Sequence, residues 1–177
     1  MAGYFSAASF RTLGTAATPH NLFTIENIDA TKLVTIRSVS VQMDATAVLV
    51  AVQPQIKISR ATAVPTGGTA LNKGQFDTGN ASNANTIVRG ATASDGGVAT
   101  AITSTAGTTL WQQYNMRMHT VVGQVLAFDS VVLPPLVDTQ NLILRQNQAL
   151  LIQIVASVGT SNPATNHWIA NICWEED

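Results

Sequence analysis

The side chains best suited to ligate a metal or carry a proton near neutral pH are three histidines, His20, His119 and His167. No pair of them has the short spacing that would place two ligands on one face of an element. His119 lies two residues from Arg117, a pattern that suits a solvated or interfacial strand face. The acids Glu26, Asp29, Asp44, Asp77, Asp95, Asp129 and Asp138 are scattered, and nothing pairs two of them for glycoside hydrolysis. No G-x-S-x-G elbow, phosphate-cradling loop or dinucleotide fingerprint is present. Ser94-Asp95-Gly96 could offer oxygens to calcium, but the EF-hand pattern is absent and the tripeptide reads as a turn. Asn80-Ala81-Ser82 matches a glycosylation acceptor by chance. The expectation is a protein without catalysis, metal or cofactor.

Composition narrows the partners. Of 177 residues, 46% are hydrophobic and only 11% charged, with a formal net charge of −1. An average globular protein carries roughly 25% charged residues. The polar surface must therefore be built from Thr, Ser, Asn, Gln and backbone. Such a surface repels itself weakly and suits life against partners or sibling copies. Without a basic run, nucleic-acid binding through a charged patch is not expected. Met1 to Leu22 holds one basic residue, Arg11, and no continuous apolar run, so neither a signal peptide nor a membrane segment is expected. The single cysteine, Cys173, cannot close an internal disulfide and reads as a small reduced residue in or near a packed face.

The elements that must position any site beat with a period of two. Val48, Val50, Val52, Ile56 and Ile58 share a parity, as do Leu110, Tyr114, Met116, Met118 and Val122. Leu150, Ile152, Ile154, Ala156 and Val158 form a third set, and Trp168, Ala170, Ile172 and Trp174 a fourth. Successive side chains alternate across a strand, so each set falls on one face of a sheet. Between Ile36 and Val39 the parity switches, as a β-bulge would make it. Pro54 argues for an edge position or a bend in its strand. Gln146-Asn147-Gln148 reads as a polar turn. About eight strands with long ones early and late predict an all-β fold, a jelly-roll-like β-sandwich.

Two regions depart from the beat. Residues 1–21, MAGYFSAASFRTLGTAATPHN, carry Tyr4, Phe5 and Phe10 among small residues. They predict an extended N-terminal arm whose aromatics dock on another surface, dispensable for folding of a domain spanning 22–177. Residues 61–108, rich in Gly, Thr, Ala, Ser and Asn, predict a long excursion of loops and short strands. Trp111 shares its parity with Gln113, Asn115, Arg117 and His119, which marks it as an aromatic anchor at an interface. Tyr4, Phe5, Phe10, Arg11 and Trp111 are thus the candidate partner-binding residues.

The arm, the stretch PQIKISRATAVPTGGTALNKGQFDT with its Gly/Ala/Thr-rich continuation through SDGGVATAI, and the closing LILRQNQALLIQIVAS and HWIANICWEED together resemble the small head proteins that decorate or cement the capsids of tailed bacteriophages. The resemblance covers most of the chain in style and order. It implies a jelly roll or β-sandwich, often trimeric, on the outer surface of the virion, with an arm reaching over the major capsid protein. It implies synthesis in the host cytoplasm, no enzymatic activity, and binding that holds an expanded shell against internal pressure. The alternative is a receptor- or glycan-binding β-sandwich from a phage tail or fibre.

Overall fold

In a computed structural model the described residues are 3–12, 20–44, 55–77, 85–90, 102–114, 125–126, 142–155 and 167–176. They contain β1 (Gly3–Thr12), β2 (His20–Asn27), β3 (Val34–Asp44), β4 (Gln55–Ala61), β5 (Thr66–Gly67), β6 (Thr69–Ala70) and β7 (Gly74–Gln75). Then follow β8 (Thr86–Gly90), β9 (Ile102–Thr103), β10 (Ala106–Tyr114), β11 (Val125–Leu126), β12 (Leu142–Leu144), β13 (Ala149–Val155) and β14 (His167–Glu176). No helix occurs among the described residues.

The strands pair antiparallel into two large sheets. One runs β11-β3-β14-β1-β7, with β12 also on β3; the other runs β10-β4-β13-β2-β8-β6. A separate pair joins β5 and β9. The alternating apolar positions explain why the sheets stack. Trp168, Ala170, Ile172 and Trp174 of β14 face Leu150, Ile152 and Ile154 of β13 and their neighbours in one buried cluster. Burying one face of each sheet against the other is the main stabilisation of such a fold.

Bulges set the phase. Cys173 pairs with Ser38 and Trp174 with Ile36, so Arg37 is an extra residue on β3. The parity switch legible in the sequence falls at this position. A second bulge leaves Leu22 unpaired between Phe23↔Ile152 and Asn21↔Gln153. Register shifts flank Thr109 in β10, and Leu110, which parity assigned to a buried set, is 39% exposed. Two shifts so close together break the count of two on which that assignment rested. The partners of Leu110 in its set beyond Tyr114 lie outside the described residues, as do 46–54 with Pro54. β4 is interior, between β10 and β13, and begins at Gln55.

The expected arm is corrected over residues 3–12. They form β1, hydrogen-bonded in continuous register to β14 from Gly3↔Glu176 to Thr12↔His167. Phe5 and Ala7 point into the core, and Phe5 is 1% exposed. The physical reason is pairing with a strand more than 150 residues away, which a local pattern does not report. Residues 13–19 lie outside the described residues.

The excursion closes the sandwich on its β1 and β2 side. β8 and β6 extend one sheet beyond β2, and β7 extends the other beyond β1. Residues 102–105 are tied on from outside: Asn21 Nδ2 donates to Ile102 O at 2.8 Å, and Thr62 N donates to Thr105 O at 3.0 Å. Gly68, at φ 68°, is needed there, because a Cβ would stand 2.7 Å from the Ile102 side chain. β2 is consequently buried on both faces. At the end of the sandwich, Asn27 is fully buried and donates through Nδ2 to Lys32 O and Leu144 O, each at 2.9 Å. Its Oδ1 accepts from Asp29 N, so one side chain fastens two turns to the core.

Candidate partner-binding surface

The outward residues of β3, β14 and β1 share one face. Ser38, Ser40 and Gln42 of β3, Ile169, Asn171 and Cys173 of β14, and Ser6 and Ala8 of β1 alternate with the core positions. Asn171 Nδ2 donates to Ser40 Oγ at 3.3 Å. Among the described side chains of this face, charge is confined to one end, at Arg37 and Glu175.

At that end a row of four residues crosses the sheet. The β3 bulge re-aims Arg37 along the sheet, and its Nε donates to Glu175 Oε2 at 2.9 Å, with Nη2 donating to the same oxygen. Hydrogen bonding to Glu175 chiefly raises the Arg37 pKa; burial opposes this and the Tyr4 hydroxyl adds to it. Tyr4 stands directly opposite Glu175 in register and is 49% exposed. Phe76 N donates to Tyr4 O at 3.1 Å, continuing the β1–β7 register by one step, and Phe76 is 68% exposed. The row therefore reads Arg37, Glu175, Tyr4, Phe76: an ion pair beside an aromatic ledge.

This arrangement can recognise but offers no nucleophile and base in contact. Two aromatics supply large apolar area with little rotamer entropy to lose on binding, and the ion pair fixes polar register at one end. Among the described residues no group of three His, Cys, Asp or Glu stands close enough to hold a metal ion.

The residues singled out by sequence separate in space. Tyr4 is on the ledge. Phe5 is on the opposite side of β1, in the core, stacked on Trp174 with ring centroids 5.9 Å apart, and cannot anchor to another surface. Phe10 and Arg11 lie in β1 opposite Ile169 and Trp168, and Trp111 lies in β10 of the other sheet opposite Ile58. The side chains of Phe10, Arg11 and Trp111 fall outside the described residues. Phe76 was missed. Its one signal was a lone aromatic in the glycine-containing run NKGQFDTG, inside a stretch read as loop. No protein-family model matches the chain, and neither a curated protein nor a solved structure matches it significantly.

Proposed function

We propose that this chain is a structural, non-catalytic virion protein that binds the outside of an assembled phage capsid, contacts the major capsid protein and stabilises the shell. The observation that carries the proposal is the aromatic ledge of Tyr4 and Phe76, at the end of a sheet face whose described side chains are uncharged apart from Arg37 and Glu175. The strand order supports it. Leaving aside the short strands β5 to β9 and counting β11 with β12 as one, the first strand lies beside the last, the last beside the third, and the third beside the sixth. In the other sheet the second lies beside the seventh, the seventh beside the fourth, and the fourth beside the fifth. We read this order as a jelly roll, an architecture that recurs in capsid and lectin domains. A homotrimer on a symmetry axis of the shell belongs to the same proposal.

The mechanism is mass action. A protein that binds only the assembled shell stabilises it by RT ln(1 + [L]/Kd) per site, about 2.7 kcal/mol at a hundredfold excess over Kd. Many symmetric sites multiply the effect. The test is co-sedimentation of the protein with expanded shells of the major capsid protein. The double variant Tyr4→Ala with Phe76→Ala is expected to bind at least tenfold more weakly while melting within a few degrees of the parent. Parental binding by that variant would refute the ledge as the contact.

A second reading, a glycan-binding module of a tail or fibre, draws on the same row. Aromatic faces stack on sugar rings, and a neighbouring Arg–Glu pair can hold hydroxyls. Retention of the protein on a glycan array, lost in the same double variant, would favour it.

A further inference from the structure

Phe76 is displayed by a short segment that wraps round the open side of the sandwich. At one end Leu71 N donates to Val88 O at 2.9 Å, on β8 of one sheet. At the other, β7 pairs with β1 of the other sheet through Phe5↔Gln75 and Ser6↔Gly74, and Phe76 N adds a bond to Tyr4 O at 3.1 Å. Between these points the chain alternates: Leu71, Lys73 and Gln75 are half-buried, whereas Asn72, Gly74 and Phe76 are exposed. So short a ladder is a weak hold for an edge strand. Something else must seat this clasp.

That something is a polar chain beneath it. Lys73 reaches inward, and its Nζ donates to Thr86 O at 3.2 Å and to Thr86 Oγ1 at 3.4 Å. Thr86 Oγ1 donates in turn to Glu176 Oε1 at 2.6 Å, and Trp174 Nε1 donates to the same oxygen at 2.9 Å. Glu176 is fully buried, and its Oε2 has no hydrogen-bond partner. The Lys73 ammonium also lies 6.0 Å from the Phe5 ring centroid, and Phe5 stacks on Trp174. The cluster thus joins both sheets, both terminal strands and the clasp. A buried carboxylate is costly without a compensating charge, and attraction between two charges strengthens as water is excluded. Lys73 supplies that charge from the clasp itself. On balance the Lys73 pKa is lowered, because burial outweighs the opposing field of Glu176.

We propose that the Lys73–Thr86–Glu176 chain is a latch that seats the clasp of residues 71–76 and thereby sets the affinity of the Tyr4–Phe76 ledge for its partner. The inference rests on the ledge being the binding surface. Lys73 is a positioning residue: it acts through the placement of Phe76.

Hydrogen exchange and shell binding, measured on the full chain, separate the two claims. Lys73→Met keeps the aliphatic stem and removes the charge; Thr86→Val cuts the relay and leaves both charged groups. Each is expected to speed exchange at Gly74 and Phe76 at least tenfold while β13 keeps its protection, and to weaken binding to expanded capsid shells by a similar factor. Lys73→Arg is expected to restore both. Phe76→Ala is expected to weaken binding without changing exchange at Gly74. Unchanged exchange in both Lys73→Met and Thr86→Val overturns the latch. Loosened exchange with parental binding in Lys73→Met, where Phe76→Ala does weaken binding, overturns its control of the ledge. If Phe76→Ala itself binds like the parent, the ledge reading falls, and control of binding by the latch falls with it, while the exchange data still decide whether the clasp is latched.

Discussion

Replacing Phe5 by alanine distinguishes a core strand from a detachable arm. The Phe5 ring is 1% exposed, stacks on Trp174 at 5.9 Å and lies 6.0 Å from the Lys73 ammonium. Truncating a buried phenylalanine removes its transfer free energy and leaves a cavity, together about 3–5 kcal/mol. On one side β1 has only the short strand β7, so the site can partly collapse and the lower half of the range applies. The expected loss is about 3–4 kcal/mol. A domain of this size loses roughly 2–4 °C of Tm per kcal/mol, so the melting point should fall by about 6–16 °C. The control is the next residue: Tyr4→Ala, at a position 49% exposed, should cost about 1 kcal/mol or less. Urea unfolding followed by tryptophan fluorescence measures both. If Phe5→Ala and Tyr4→Ala have the same small cost, β1 is not part of the core, and deleting it would leave a stable domain. On the structure described, that deletion strips a central strand, β14, of one of its two neighbours and prevents normal folding.

Two further outcomes follow from buried polar groups. Asn27→Ala leaves the Leu144 carbonyl, now bonded to Asn27 Nδ2 at 2.9 Å, without that donor and frees two turns. An unsatisfied buried group costs about 1–3 kcal/mol, so denaturant titration should show a loss of about 2–3 kcal/mol, and a loss under 1 kcal/mol would contradict the role assigned to Asn27. Glu26 is 4% exposed, and burial raises its pKa, with Arg89 partly opposing. In the window between the unfolded value and the raised folded value, the folded state binds more protons, so this residue's contribution to stability falls as pH rises through that window. Glu26→Gln is therefore expected to gain a little stability at pH 7 and nothing at pH 3. Thermal melts across that range check the sign, and an equal loss at both pH values would show that a hydrogen bond, not desolvation, governs the site.

Elsewhere the lesson concerns what period and parity can carry. In β14, alternation alone assigned Trp168, Ala170, Ile172 and Trp174 to one face, and all four are buried. The phase switch at Arg37 was legible because deleting one residue from the count restores the pattern on both sides. Gln146 to Gln148 read as a turn, and Asn147 indeed adopts φ 59°, which asparagine tolerates. These features are local, and local rules determine them.

The site was mostly not local. Tyr4 and Phe5 are adjacent aromatics, and composition treats them alike. Pairing with β14 sends one to solvent and the other into the core. Phe76 acquires meaning only because the excursion returns to the edge of β1, and Lys73 only because Glu176, a hundred positions onward, waits beneath it. Both faces of β2 are buried because a segment some eighty residues later is tied across it. The amino-acid order by itself determined which side chains share a face where the count of two runs unbroken, as in β14, but not across the shifts of β10. Which face is covered, and by what, depended on contacts between distant segments, whose closure entropy and pairing energy no short window of residues contains.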